Sequence, residues 1–452
     1  MSVKGNELTE GPVMSTMLRF AVPMIIGDLL QQCYNIADTI IVGRFLGTNP
    51  LAAVGSAFSL MIFLTSILLG LAMGSGTVFS MRFGRKDEKG LRESVLSSFV
   101  LLAAVNAVLN IIVFAGCDLI IQVLQIPQEL TGLMKEYLIV IFAGLTGIFL
   151  YNFFASLLRS LGNSKVPTIF LAVSALLNIV LDLWFVAGLD FGVAGAAWAT
   201  VISQYVSGIG IAVYTGVKFP SLLRPDRSVR LRMSSIKEIA GFSSLTCLQQ
   251  SIMNLGILAV QGRINSFGPV IMAAFAAGVK IDAFAYLPVQ DFGNAFSYFI
   301  SQNYGAGQKE RIARGIKTAT VITISFGIVL SLFVCLFSHS LIALFIDDSS
   351  SALSVIEEGV RYLRIEGAFY YLIGVLFLLY GLYRALGRPG MSVVLTVISL
   401  GLRVVLAYAL SAVPSIGPVG IWWSIPIGWV IADAAGIIYY MMKRKNLLPE
   451  SL

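Results

Sequence analysis

Apolar residues in this chain fall in long blocks, separated by short clusters of charge, proline or glycine. A helix that crosses a bilayer needs about 20 predominantly apolar residues. Twelve blocks reach that length, at residues 16–44, 51–80, 93–116, 133–159, 166–188, 192–217, 238–262, 270–302, 315–346, 354–384, 391–413 and 417–442. The pattern predicts an all-α integral membrane protein with twelve transmembrane helices. No polar stretch is left that is large enough for a soluble domain. The opening residues, Met1 to Glu7, are polar and lack the apolar core of a cleaved signal peptide, so the first helix is expected to stay in the mature protein.

The blocks repeat as a set. Gly43-Arg44, Pro50 and Gly74 return as Gly262-Arg263, Pro269 and Gly293 at a constant offset of 219. Arg159-Ser160-Leu161-Gly162 returns as Arg384-Ala385-Leu386-Gly387 at an offset of 225. Each copy holds six helices, an even number, so both enter the membrane with the same orientation. The expectation is two six-helix bundles related by a pseudo-two-fold axis along the membrane normal. The N-terminal lobe is read as 1–218, the C-terminal lobe as 237–452, and 219–236 as a cytoplasmic linker with Pro220, Pro225 and several basic residues.

Charge sets orientation. Lys and Arg gather between helices 2 and 3 (Arg82, Arg85, Lys86, Lys89, Arg92), between helices 6 and 7 (Lys218 to Lys237), after helix 8 (Lys309, Arg311, Arg314, Lys317) and in the tail (Lys443 to Lys445). The alternate connections carry few, which places both termini in the cytoplasm and the chain in the cytoplasmic membrane. The net charge of +7 is mostly this topogenic charge and gives no reason to expect nucleic acid. With 57% hydrophobic and 12% charged residues the chain is no soluble globular protein. His339 is its one histidine, and Cys33, Cys117, Cys247 and Cys335 are scattered. A histidine metal centre or a Ser-His-Asp triad is thereby excluded, no nucleotide-binding glycine loop is present, and an enzyme is not expected.

The polar residues inside the blocks carry the candidate chemistry. Asn178 and Asp182 are four apart, on one face of helix 5. Counting from the outer ends of their helices at 1.5 Å per residue, Asp38, Asp182 and Thr200 all lie about 8–9 Å deep. Three helices thus bring Asp38, Asn178, Asp182 and Thr200 to one level, a set of oxygen donors of the kind hard cations prefer. A carboxylate in hydrocarbon costs at least about 2.5–3.5 kcal/mol and normally faces an interior or wet cavity. Such a pair either holds a proton or stays ionised around a cation such as Na⁺, and the exchange would alter the packing of helices 1, 5 and 6. A purely structural hydrogen-bonding role for Asp182 is the weaker alternative. At the repeat positions of Asp38, Asp182 and Thr200 the second copy has Ile257, Ala407 and Ile425, and Arg403 stands where the first copy has Asn178.

Asp38-Thr39 followed by Gly43-Arg44, the two Arg-x-Leu-Gly motifs, and Asn178-x3-Asp182 with Thr200 give the chain its resemblance to the multidrug and toxic compound extrusion (MATE) antiporters, from Leu18 to about Tyr440. That resemblance implies two six-helix lobes around a central cavity, alternating access, and efflux of mostly cationic, amphipathic organic compounds against Na⁺ or H⁺. It implies a cation site at Asp38, Asn178, Asp182 and Thr200. Some members also have an acid on helix 7; here Gln249 and Gln250 are the polar residues of that segment, so a second cation site of that kind is not expected.

Further polar residues are candidates for a substrate pathway: Asp28, Gln249, Asp291, Glu366 and Arg403. The competing reading for the second copy is an internal network of Arg403 with Asp282, Asp291 or Glu366. Asp282 and Asp291 are nine residues apart and so on opposite faces of helix 8. No cofactor beyond the coupling ion is expected. The expected partners are small organic cations or drugs and the lipid bilayer, with the chain working as a monomer. The nearest rival is a lipid-linked saccharide flippase of the same superfamily. It would want a basic cavity, whereas only Lys280 and Arg403 lie well inside the blocks, among several acids.

Overall fold

A computed structural model describes residue 5 and residues 7–123, 128–223, 231–346 and 352–448. Among the described residues every regular element is a helix. In chain order they are α1 (Val13–Leu46), α2 (Thr48–Gly84), α3 (Glu88–Ala115), α4 (Cys117–Val123), α5 (Gln128–Ala143), α6 (Leu145–Ser160) and α7 (Lys165–Asp182). A π-helical turn, Leu183–Gly188, follows α7 directly. Then come α8 (Gly192–Lys218), α9 (Pro220–Leu223), α10 (Met233–Asn265), α11 (Pro269–Gly305), α12 (Lys309–Ala343), α13 (Ala352–Gly367), α14 (Tyr370–Ala385), α15 (Pro389–Ser411) and α16 (Val419–Leu447).

Among the described residues ten spans are long and apolar enough to cross a membrane, including α5 with α6 as one span and α7 with its π turn as another. The pair α13 and α14 supplies an eleventh, bent by 49° at its break. The remaining long helix, α10, has 33 residues, enough for about 50 Å. It is less apolar because Lys237, Glu238, Gln249, Gln250, Asn254 and Gln261 lie along it. The protein is thus a multi-pass, all-α membrane protein. Large apolar side chains such as Ile111, Val217, Leu336 and Met441 stand exposed along the spans, as expected where lipid replaces water. Of the expected linker, residues 224–230 lie outside the described residues, and so does the side chain of Ile257.

The repeated Arg-x-Leu-Gly motifs have a local cause. Gly162 and Gly387 take φ of 79° and 76°, a left-handed conformation that costs glycine nothing. The following amides, Asn163 N–H and Arg388 N–H, donate back to Leu158 O (2.9 Å) and Tyr383 O (2.8 Å). Both motifs are therefore Schellman stops that end α6 and α14. Elsewhere Asp87 caps α3 by accepting from Gly90 N–H at 2.9 Å. Proline opens α11 and α15 at Pro269 and Pro389, where its missing N–H is not needed.

The chain packs as two compact units. The first comprises Met1–Glu7 and Ile26–Cys247, the second Leu8–Ile25 and Leu248–Leu452. The early half of α1, up to just past Pro23, belongs to the second unit, and the early half of α10 to the first. In the first unit α10 lies against Gly70 and Gly74 of α2. A Cβ on Gly74 would come within 2.5 Å of Ser243 Cα, and one on Gly70 within 2.5 Å of Cys247 Cα. Small residues four apart on both helices let the backbones meet. Ser75 and Ser243 hydroxyls lie 3.0 Å apart, Ser98 donates to Ser75 at 2.7 Å, and Arg82 pairs with Glu238 at 2.7 Å. In the second unit the N-terminal segment is held by Arg311, which donates to the carbonyls of Leu8, Glu10 and Gly11 at 2.6–3.3 Å. The Leu8 amide donates to Gln302 at 2.9 Å.

Gly74→Val should force α2 and α10 apart and cost about 1–3 kcal/mol. Gly241→Ala, whose new Cβ meets nothing within 4 Å, should be tolerated. Thermal unfolding in detergent checks the pair: a lower midpoint for Gly74→Val alone is expected, and equal midpoints for the two variants would contradict the packing.

Candidate functional site

Asp182 is the last α-helical residue of α7, and the π turn begins at Leu183. Such turns widen a helix by one residue and often mark functional positions. Asp182 is fully buried, Asn178 one turn earlier is 2% exposed, and Asp38 on α1 is half-buried. The carboxyls of Asp38 and Asp182 meet within hydrogen-bonding range. Each has a buried Oδ1 to which no amide or hydroxyl donates.

Asn178 links this pair to α8. Its amide satisfies both neighbours when the nitrogen donates to Asp182 Oδ2 at 3.1 Å. The amide oxygen then accepts from the backbone N–H and the hydroxyl of Thr200, each at 3.2 Å. Asp38, Asn178, Asp182 and Thr200, picked out by spacing and depth, are thus brought together within the first unit. α7 and α8 are packed along each other, held also by Ser174 donating to Ser203 O at 2.8 Å.

Two tyrosines border the pair that spacing arguments left out. Tyr34 lies one turn before Asp38 on α1, within hydrogen-bonding range of Gln31, and Tyr137 comes from α5. Both feel the charge of Asp38 and Asp182. Tyr34 stands four residues from Asp38 and was legible by the spacing that joins Asn178 to Asp182. Tyr137 is brought in only by tertiary packing.

Chemically, two touching carboxyls form a hydrogen bond only if one proton lies between them; with none, they repel and call for a cation. The orphaned Oδ1 atoms, the Asn178 amide oxygen and the Thr200 hydroxyl are oxygen ligands suited to a hard monovalent ion. The set therefore fits either H⁺ or Na⁺.

The other predicted residues are dispersed. Asp28 lies on α1 in the first unit, half-buried, close enough to act on Tyr151. Gln249, in the second unit, is buried and donates to Met253 Sδ at 3.0 Å. Asp291 is buried on α11, where its charge reaches Tyr286. Glu366 and Arg403 come together with Asp282. Lys280 is exposed, its ammonium 5.7 Å from the centre of the Phe345 ring.

The MatE family profile matches residues 23–184 and 244–409. The chain belongs to the MatE family. One matched stretch falls in each of the two similar halves of the chain. Among curated relatives it is 29% identical to the probable multidrug resistance protein YpnP of Bacillus subtilis, over 98% of each chain. It is 25% identical to the FAD transporter of Shewanella oneidensis, over 97% of this chain and 96% of that one. A solved structure of a MOP superfamily transporter from Pyrococcus furiosus, described as having a binding pocket of reverse polarity, superposes with a TM-score of 0.92. It is 26% identical and covers 99% of both chains.

Asn178→Ala removes both the donor to Asp182 and the acceptor for Thr200. A hydrogen bond to a charged group contributes about 1.5–3 kcal/mol, so the half-saturating concentration of Na⁺ held there should rise about 10–100-fold, whereas a proton, no longer opposed by a donor that favours the carboxylate, should bind more tightly. Ion-concentration dependence of transport checks this; an unchanged half-saturation would contradict the role given to Asn178.

Proposed function

We propose that the chain is a secondary-active antiporter that exports organic, mostly cationic and amphipathic compounds by alternating access, in exchange for inward Na⁺ or H⁺. It works in the cytoplasmic membrane with both termini on the cytoplasmic side. The observation that carries this reading is the contact between Asp38 and Asp182 inside the first unit, with Asn178 and Thr200 completing the oxygen set. A carboxyl pair of this kind has two states, filled and empty, that differ in buried charge. Because α1, α7 and α8 each contribute, a change of charge alters how those three helices pack.

Coupling follows from that change. With the pair occupied by H⁺ or Na⁺, the helices can close on a neutralised site. With it empty, repulsion between Asp38 and Asp182 favours a more open packing. An ion gradient thereby biases one packing over the other.

The cationic cargo is supported by acids of both units that lie outside the Asp282–Glu366–Arg403 cluster: Asp28, Asp291 and Asp433. A saccharide flippase handling pyrophosphate would need the reverse balance. Relatives are named for multidrug resistance and for FAD transport, so the charge of the cargo is the property to test first.

Reconstituted full-length protein in liposomes, with Na⁺ and pH gradients imposed separately, tests the proposal. A panel of organic cations, flavin adenine dinucleotide and a lipid-linked pyrophosphate serves as cargo. One gradient should drive cation export. Asp38→Asn and Asp182→Asn should each abolish gradient-driven export while leaving the unfolding midpoint within a few degrees of wild type. Undiminished export by either variant, or gradient-driven transport of the anions alone, would refute the reading.

A further inference from the structure

The second unit has a buried acid pair of its own, built from other helices than the first. Asp282 on α11 accepts from the Tyr362 hydroxyl at Oδ2 and from the Tyr370 hydroxyl at Oδ1. Glu366 lies within hydrogen-bonding range of Asp282 and of Tyr362. Asp282 and Glu366 are each 6% exposed, and the two tyrosines 1%. Arg403 on α15 acts electrostatically on both carboxyls, and its Nε has no hydrogen-bond partner. Trp422 of α16 closes one side, its ring centre 4.9 Å from that of Tyr362. The other titratable groups that face the cluster are Tyr286 on α11, which feels Asp282, and Cys335 on α12, which feels Tyr370.

The cluster spans a break in a helix. Tyr362 and Glu366 are on α13, Tyr370 is on α14, and the two helices bend by 49° between Gly367 and Tyr370. Asp282 therefore holds both sides of the bend at once.

Charge decides what such a pair accepts. With both acids ionised, Arg403 leaves the cluster one negative charge in excess; one added proton makes it neutral. Two carboxyls in hydrogen-bonding contact also need a proton between them. A metal cation is poorly served. Both Asp282 oxygens already accept O–H donors, and a guanidinium repels any incoming cation.

We propose that Asp282 and Glu366 form a second proton-binding site, which holds one proton between the two carboxyls and sets the bend between α13 and α14. When the proton leaves to water, two adjacent carboxylates remain. The two hydroxyls cannot satisfy both, so the contacts across the break rearrange. The site is not the repeat counterpart of the Asp38 site. At the 225-residue offset Tyr362 corresponds to Tyr137, but Glu366 and Tyr370 correspond to Ile141 and Leu145. At the offset of 219, Asp282 corresponds to Phe63.

Infrared difference spectroscopy of the purified full-length protein in lipid nanodiscs, as a function of pH, tests this without any transport assay. An Asp38→Asn/Asp182→Asn background silences the first unit. A C=O band of a protonated carboxyl is expected, lost at high pH and insensitive to Na⁺. Glu366→Gln should remove it, Asp282→Asn should remove or displace it, and Tyr370→Phe should shift its frequency because one partner of the pair loses a donor. Spin-label distances between α13 and α14 should change over the same pH range in the background protein and not in Glu366→Gln. No such band, a band unchanged in all three variants, a band removed by Na⁺ at constant pH, or a bend indifferent to pH would each overturn the proposal. If Glu366→Gln does not fold, an unshifted band in Tyr370→Phe does so alone.

Discussion

Two carboxyls pressed together inside an apolar helix bundle constrain everything packed around them. Each carboxylate in hydrocarbon costs at least about 2.5–3.5 kcal/mol, and repulsion between neighbours adds to it. The contact between Asp38 and Asp182 is stable only while a proton or a cation neutralises part of that charge. Its position gives this requirement a mechanical consequence. Asp182 sits where α7 passes into a π turn, Asn178 ties it to Thr200 on α8, and Asp38 comes from α1. On the proposed function, ion occupancy is sensed at a junction of three helices rather than along one.

The internal repeat conserves architecture and lets the chemistry diverge. Both copies stop a helix with the same Schellman turn, at Gly162 and at Gly387, and both keep a buried tyrosine at matched positions, Tyr137 and Tyr362. The acids have moved. In the first copy they lie on the helices equivalent to α10 and α15 of the second; in the second they lie on α11 and α13. The positions that would recreate the first site hold Ala407 and Ile425, both buried among apolar neighbours. Arg403, in place of the amide, finds its charge partners in the displaced acids.

Much of this was legible in the sequence because lipid leaves few choices. Blocks at 16–44 and 270–302 became α1 at Val13–Leu46 and α11 at Pro269–Gly305, slightly longer because helices continue past the apolar zone. The breaks at Gly144 and between Gly367 and Tyr370 were hidden, since hydrophobicity runs on across them. Helical spacing placed Asn178 and Asp182 together, and counting depth added Asp38 and Thr200. The bonds of Asp282 to Tyr362 and Tyr370 were not legible, because they join three segments across a bend. The same holds for the half-helices at Val13–Ile25 and Met233–Cys247, which pack with the other half of the chain. There the sequence carried a signal, small residues four apart at Gly70 and Gly74, but not the identity of the partner helix.

Ion binding by the purified protein, measured without cargo or gradient, tests whether Asp38 and Asp182 hold the driving ion. Proton release and Na⁺ uptake would be compared between wild type and the Asp38→Asn/Asp182→Asn double variant. The double variant should lose one driving-ion equivalent per chain while keeping the fold. Equal ion binding by the two proteins would contradict it, as would a Na⁺ site that maps to α10, α15 and α16.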